Sequence, residues 1–220
     1  MKREILTTKD GSTTIHLPEW DESYHSKHGA IQEAYHVFIK NGLSLFQGAS
    51  VSIMEIGFGT GLNAFITYLE AKKNQQKIDY VGIEAYPVLL EEALQMNYVS
   101  ELNSIDATDI FSEIHECSWN QKHSISTIFS LTKQEQFFQD ISYVNQFDLI
   151  YFDAFGFRVQ PELWSYEIFN KMFTSLKSGG VLVTYACRTS IKNAMKEVGF
   201  DVEKLPGAPG KREMLRGIKK

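Results

Sequence analysis

The sequence predicts an α/β protein with a doubly wound, mostly parallel sheet that ends in an antiparallel hairpin, plus a small N-terminal β-hairpin/helix extension. Three observations carry this reading. Strand-like and helix-like segments alternate across residues 49–220, the pattern of a parallel sheet covered on both faces. A glycine-rich stretch, "EIGFGTGLN" (Glu55 to Asn63), stands at the first junction of strand and helix in that region. The last two strands are joined only by "PGAPGK", too short for the crossover a parallel pair requires.

The elements follow in order. "EILTTKDGSTTIHL" contains two β-rich runs around Asp10-Gly11, a hairpin signal. Ile31, Ala34, Tyr35 and Phe38 have helical spacing, closed at Asn41-Gly42. Residues 1–48 therefore read as an extension packed on a main domain of residues 49–220. There "SVSIMEI" reads as a buried strand, "LNAFITYLEAKKN" as a helix and "IDYVGIEA" as a strand. "PVLLEEALQM" reads as a helix opened by Pro87. A helix is expected around Ala107 to Cys117, then a strand "SISTIFS" and a short helix "QEQFFQDI". "QFDLIYFDA" is the fourth strand of the sheet, "ELWSYEIFNKMFTSL" a helix and "GGVLVTYA" a strand. "TSIKNAMKEV" is a helix, and "GFDVEKL" and "REMLRGIKK" form the closing hairpin.

Composition narrows the classes. A hydrophobic share of 43% and a charged share of 22% are those of an ordinary globular protein. No apolar run approaches the ~20 residues that span a bilayer, so no membrane is expected. Cys117 and Cys187 have no metal-type spacing and read as free thiols in a reducing cytoplasm; no metal is expected. The net charge of −5 argues against a chain coated in nucleic acid. Between Lys204 and Lys220, however, six basic residues face one acid, Glu213, and such a strip can bind phosphate.

The glycine stretch carries the first chemical signal. In an open α/β sheet a ligand lies beyond the carboxyl ends of the strands, beside this loop. A dinucleotide fingerprint needs Gly-x-Gly-x-x-Gly, but here the third glycine, Gly61, comes one residue early. The acid-led form Glu55-x-Gly57-Phe58-Gly59-Thr60-Gly61 suits S-adenosylmethionine better, because that cofactor has no pyrophosphate to wrap. Glu84 ends the next strand, where a carboxylate accepts both ribose hydroxyls. Phe129 is the candidate apolar contact for adenine. A terminal antiparallel hairpin on a doubly wound sheet is also the habit of class I methyltransferases.

The second signal is "YFDAFGFRVQPELW". Asp153 ends the fourth strand, adjacent to the first, and so faces the reactive end of the cofactor. An alkylammonium must lose a proton before it can attack a methyl group, and a carboxylate can orient it and accept that proton. Phe155 and Trp164 suit apolar or stacking walls for a planar base, although Trp164 suits the core equally well.

With these residues in hand, the sequence resembles the tRNA (5-methylaminomethyl-2-thiouridylate) methyltransferase family, which comprises the methyltransferase half of bifunctional MnmC and stand-alone MnmD. The resemblance runs from about Asp10 to Gly217. It rests on "DESYHSKHGAIQEAYHVF", "EIGFGTGLN", "DAF" followed by "PELW", and "GF" with the late "PGKREML". It implies a class I methyltransferase fold and methylation of the aminomethyl nitrogen of a wobble uridine in the anticodon region of tRNA. It also implies cofactor contacts at Glu55, Gly57, Gly59, Gly61, Asn63 and Glu84, with Asp153 at the amine. Tyr24, Ser26 and Glu33 match the early motif and help close the site, while Lys211 and Arg212 match the terminal basic motif and are expected on tRNA phosphate. Bifunctional relatives carry a flavin-dependent oxidase domain, which implies a separate oxidase as a partner here. Phe157 stands where the family usually has proline, Val159 where it often has lysine, and "FSLT" closes the expected third strand without an acid.

Other readings are an amine methyltransferase acting on a small molecule, an aminopropyltransferase, and a non-catalytic RNA-binding subunit on the same fold. Aminopropyl transfer needs further carboxylates, whereas Phe157 and Arg158 follow Asp153. A subunit that had lost catalysis has no need of Glu84 and Asp153 beside an intact glycine loop. A dinucleotide oxidoreductase fails on glycine spacing and on the terminal hairpin.

Overall fold

The computed structural model describes residues 2–48 and 50–220; the expected domain boundary at Ala49 lies outside the described residues. At the N-terminus β1 (Glu4–Thr7) and β2 (Thr13–Leu17) pair antiparallel, and a short β3 (Glu22–Ser23) adds to β2. The Asp10 carboxylate fixes the hairpin turn by accepting from Thr8 Oγ1 and from the Ser12 amide. The expected helix starts at α1 (Ala30–Ala34) and continues as π-helical turns over Tyr35–Lys40.

The main sheet has eight strands in the order β10-β11-β9-β8-β4-β5-β7-β6. They are β4 (Val51–Ile56), β5 (Ile78–Glu84), β6 (Lys122–Ser126), β7 (Phe129–Glu135), β8 (Phe147–Phe152), β9 (Leu176–Thr184), β10 (Asp201–Pro206) and β11 (Glu213–Ile218). The pairs β4–β5, β4–β8, β5–β7 and β8–β9 are parallel. The terminal hairpin β10–β11 is antiparallel and docks on β9 antiparallel, as its short connection demands. Helices α2 (Leu62–Asn74), α3 (Leu90–Ala93), α4 (Tyr98–Glu101), α5 (Thr108–Glu116), α6 (Tyr166–Ser175) and α7 (Thr189–Val198) fill the connections.

Alternation along the central strands divides the core between the two faces. Ile53, Leu149, Tyr151 and Val183 pack with Phe65 of α2 and Phe111 of α5. Met54, Ile150, Phe152 and Leu182 pack with Phe169 of α6 and Met195 of α7. Glu55 lies on the first of these faces, two residues from Ile53, and is fully buried there.

Four elements differ from expectation. Pro87 does not open a helix; α3 begins only at Leu90, where the Glu92 carboxylate accepts from the Leu89 amide. "SISTIFS" is not one strand, because Thr127 and Ile128 turn the chain between antiparallel β6 and β7. The second of these continues through "QE" to Glu135, so only a 3-10 turn, Phe138–Asp140, remains of the expected short helix. "PELW" is a separate 3-10 turn, and α6 starts after Ser165, whose hydroxyl caps it by accepting from the Ile168 amide. Among the described residues, no helix is long and apolar enough to cross a membrane.

Candidate active site

The carboxyl ends of β4, β5, β7 and β8 open into one cavity of about 1390 Å³, roofed by the N-terminal sheet. It is lined by Gly57, Phe58, Gly59, Asn63, Glu84 and Asp153, and also by Tyr24, Ser26, Glu33, Phe155 and Lys211. The structure thus brings together expected residues drawn from five separate stretches of sequence.

Gly57 (φ +86°) and Gly59 (φ +50°) adopt left-handed backbone conformations. A Cβ on Gly57 would lie 2.7 Å from the Asp153 carbonyl oxygen, and one on Gly59 would lie 3.0 Å from the Tyr24 ring. What approaches this backbone is therefore the end of β8 on one side and the roof on the other. Glu84 holds the loop: Oε2 accepts from the Gly59 amide at 3.1 Å and Oε1 from the Tyr86 amide at 3.1 Å. Burial raises its pKa, while those backbone donors oppose the shift.

Asp153 accepts from Asn63 Nδ2 at 2.8 Å and forms no ion pair among the described residues. Burial pushes its carboxyl up to about 7, and the nearby Glu33 carboxylate adds to the rise; the Asn63 N–H and the Lys211 ammonium hold it down. An acid poised near neutrality can accept a proton from an incoming amine.

Several expected site residues stand elsewhere. Glu55 does not reach the cavity: it is fully buried, accepting from Asn63 Nδ2 and from the Tyr80 hydroxyl, each at 2.8 Å. It therefore orients Asn63. Thr60 is buried against the Tyr98 hydroxyl at 2.8 Å, and Gly61 sits under the His115 ring at the start of α2. Phe129 begins β7, and so lies far from the strand's carboxyl end, stacked on Tyr80 in the core. Trp164 is core too, packed on Phe152, but its Nε1 donates to the Phe155 carbonyl at 2.8 Å and so shapes the loop after β8.

The terminal basic motif divides. Lys211 turns inward, pairs with Glu33, and places Nζ 3.9 Å from the centre of the Tyr185 ring. Arg212 is exposed. The loop does not project from the sheet, because the Pro206 carbonyl is held by His36 Nε2 at 2.8 Å.

Sequence reasoning missed Arg3, Glu22, Glu135, Phe137, Arg158 and Tyr185, all of which line the cavity. Extending "FSLT" to its true strand end would have found Glu135 and Phe137, and supplies the acid that seemed to be lacking there. Arg158 ties the roof to the β8 loop, donating to the Trp20 and Asp21 carbonyls and pairing with Glu22 at 3.0 Å. No local signal marks that contact, which spans more than 130 residues.

Comparison with known proteins agrees with this geometry. A family model described as S-adenosyl-L-methionine-dependent methyltransferase matches residues 122–220. The chain is 29% identical over 217 residues to the tRNA 5-methylaminomethyl-2-thiouridine biosynthesis bifunctional protein MnmC of Marinomonas sp., covering 92% of this chain and 32% of that protein. It is 30% identical to the protein of the same name from Idiomarina loihiensis, covering 90% and 36% respectively. The chain thus spans about a third of the length of the curated relatives it matches. Among solved structures, it resembles MNMC2 from Aquifex aeolicus with a TM-score of 0.73 at 20% identity, over 98% of this chain and 70% of that one. It resembles spermidine synthase from Thermotoga maritima with a TM-score of 0.55 at 10% identity, over 100% and 72%. Both likenesses are of fold.

Proposed function

We propose that this chain, which matches a model of S-adenosyl-L-methionine-dependent methyltransferases over residues 122–220 and is similar to MnmC proteins, methylates the aminomethyl nitrogen of a modified wobble uridine in tRNA. The observation that carries this reading is Asp153, a carboxylate in no ion pair among the described residues, lining a cavity shared with the glycine loop and Glu84. The residues fit the cofactor: two glycines keep the loop free of side chains, Glu84 ends β5 with its carboxylate in the cavity where it would accept from the ribose hydroxyls, and buried Asn63 Oδ1 has no partner of its own.

When bound, S-adenosylmethionine supplies an electrophilic methyl group. Asp153 accepts the proton that the substrate ammonium loses and orients the nitrogen lone pair. With its lone pair free, that nitrogen would be the nucleophile for the methyl group the cofactor supplies. Asn63 keeps the carboxylate aimed, and Phe155, held by Trp164 and packed edge-on to Tyr24 at 4.9 Å, walls the site against water. Two of the acids near Asp153 are paired, Glu33 with Lys211 and Glu22 with Arg158.

The same reading includes an extension of residues 1–48 acting as the roof of a methyltransferase domain. It also includes a cytoplasmic location and a separate flavin-dependent oxidase as partner. The test is incubation of the purified protein with labelled S-adenosylmethionine and tRNA from cells lacking this methylation. Label in a wobble uridine on nucleoside analysis supports the reading; label absent from tRNA while the cofactor binds overturns it.

A further inference from the structure

We propose that the pocket between Glu33, Asp153 and Tyr185 is an alkylammonium subsite that the free protein fills with its own Lys211, so that a substrate amine reaches Asp153 only by displacing that side chain. The proposal deepens the amine-methylation reading and rests on it.

Lys211 stands in the loop between β10 and β11, yet its side chain is only 31% exposed. Backbone bonds fold the loop inward: the Lys211 amide donates to the Ala208 carbonyl at 2.8 Å, and the Gly207 amide to the Arg212 carbonyl at 3.1 Å. Gly207 has no room for a side chain, since a Cβ there would lie 2.6 Å from the Lys211 carbonyl oxygen.

The ammonium then meets an aromatic face and an acid. The Tyr185 ring is fixed by its hydroxyl, which donates to the Ala154 carbonyl at 2.8 Å, and by Trp164 packed edge-on at 5.9 Å. Glu33 is fixed through Oε2, which accepts from the Ser26 amide at 3.2 Å. An aromatic face with a carboxylate beside it is what recognises an alkylammonium. A lysine side chain and an aminomethyl group end in the same unit, a methylene carrying an ammonium. The structure thus offers this group a made place beside Asp153, and Lys211 is the ligand in it.

Asp153 is faced by Glu33 from α1, Lys211 from the β10–β11 loop, Asn63 from α2, Glu55 from β4, Tyr80 from β5 and Tyr185 from beyond β9. Lys211 is the one cation in that set. Its departure raises the Asp153 pKa, and the arriving ammonium lowers it again until its proton is transferred. One cation replaces another, and the pocket never holds two acids without a countercharge.

The test uses methylammonium chloride as a probe, titrated calorimetrically into wild type, Lys211→Met and Glu33→Gln. Lys211→Met is expected to bind methylammonium about tenfold more tightly than wild type, because occupancy by an internal competitor multiplies the apparent affinity by the vacant fraction. Glu33→Gln is expected to bind it more weakly than Lys211→Met. In turnover on tRNA bearing the unmethylated aminomethyl uridine, Lys211→Met should lower KM and move the acid limb of kcat/KM to higher pH. If Lys211→Met melts early, Lys211→Gln replaces it. Methylammonium binding unchanged by either variant, or a raised KM, overturns the subsite. Wild type that binds the cofactor but leaves tRNA unmethylated, while the methylammonium difference persists, overturns the tRNA reading and leaves the subsite standing.

Discussion

Asn63 Nδ2 donates one hydrogen to Asp153 Oδ2 and the other to Glu55 Oε1, each at 2.8 Å. One amide thereby joins the helix after the glycine loop to the ends of two adjacent parallel strands. The Tyr80 hydroxyl closes the chain on Glu55, so the amide cannot turn over without breaking both bonds. That fixed sense leaves Asn63 Oδ1 buried and without a partner in a residue that lines the cavity.

Asn63→Leu removes both donors. Glu55, fully buried, then keeps only Tyr80, and about 1–3 kcal/mol of stability is lost. Asp153 loses a bond that holds its pKa down, so the acid limb of the rate profile moves to higher pH. Thermal melts and pH–rate curves on the same preparation check both effects. A variant with an unchanged melting temperature and an unchanged limb shows that the chain of bonds positions nothing.

Asp153 also sets a pH dependence of its own. Its pKa rises from 3.8 to about 7 on folding, so the proton acceptor exists only above that value. kcat/KM should climb as pH rises through 7, and Asp153→Asn should lower single-turnover rates by ~10²–10⁴ while cofactor affinity holds. Stability follows the opposite course. An acid whose folded pKa is raised favours the fold fully below 3.8, and that contribution is lost as pH rises toward 7. The melting temperature of Asp153→Asn should therefore gain on wild type between pH 4 and pH 7. A difference that stays flat across that window would show that the carboxyl has an ordinary pKa.

The sheet, its terminal hairpin and the placement of Asp153 were legible in the sequence because each depends on local periodicity or connection length. Glycine spacing likewise announced a loop that must sit close to other atoms. The site's second tier was not legible. Glu55 reads as a loop acid until alternation along β4 turns it into the core on the side of Ile53. Phe129 was misplaced because strand β7 runs six residues beyond it to Glu135, through a polar "KQE" that pairs with β5. Lys211 was read as a surface charge because no pattern in the sequence reports that Pro206 is tied to His36, 170 residues away.

On the proposed reading, Glu84 ties cofactor affinity to loop shape. Glu84→Ala loses the acceptor proposed for the ribose hydroxyls and frees the Gly59 and Tyr86 amides. Binding of S-adenosylmethionine should weaken by ~1.5–3 kcal/mol, the range for hydrogen bonds to a charged group. Gly59→Val should abolish it, since a branched side chain must displace Tyr24 and adopt a left-handed backbone. Calorimetry reads both. Wild-type affinity in Glu84→Ala would remove the ribose from this carboxylate.

On the proposed reading, the basic strip at the C-terminus offers tRNA one free cation among the described residues, not six. Lys204 pairs with Glu213, Arg216 with Glu203 and Lys220 with Asp201. Lys219 donates to the carbonyls of Phe173 and Leu176, and Lys211 turns inward to Glu33. Among the described residues only Arg212 of this strip is exposed without an acidic partner, and it follows Lys211 in the chain. Arg212→Ala should therefore reduce the slope of log K against log salt for tRNA binding by about 0.7–0.9, the value of one phosphate contact. Cofactor affinity and melting temperature should stay at wild-type values, because no internal bond is lost. Lys211→Met should leave the slope unchanged, since its charge faces the pocket. Filter binding across a salt series separates the two residues. A slope that falls with Lys211→Met and holds with Arg212→Ala would reverse the assignment and put the inward lysine on the nucleic acid.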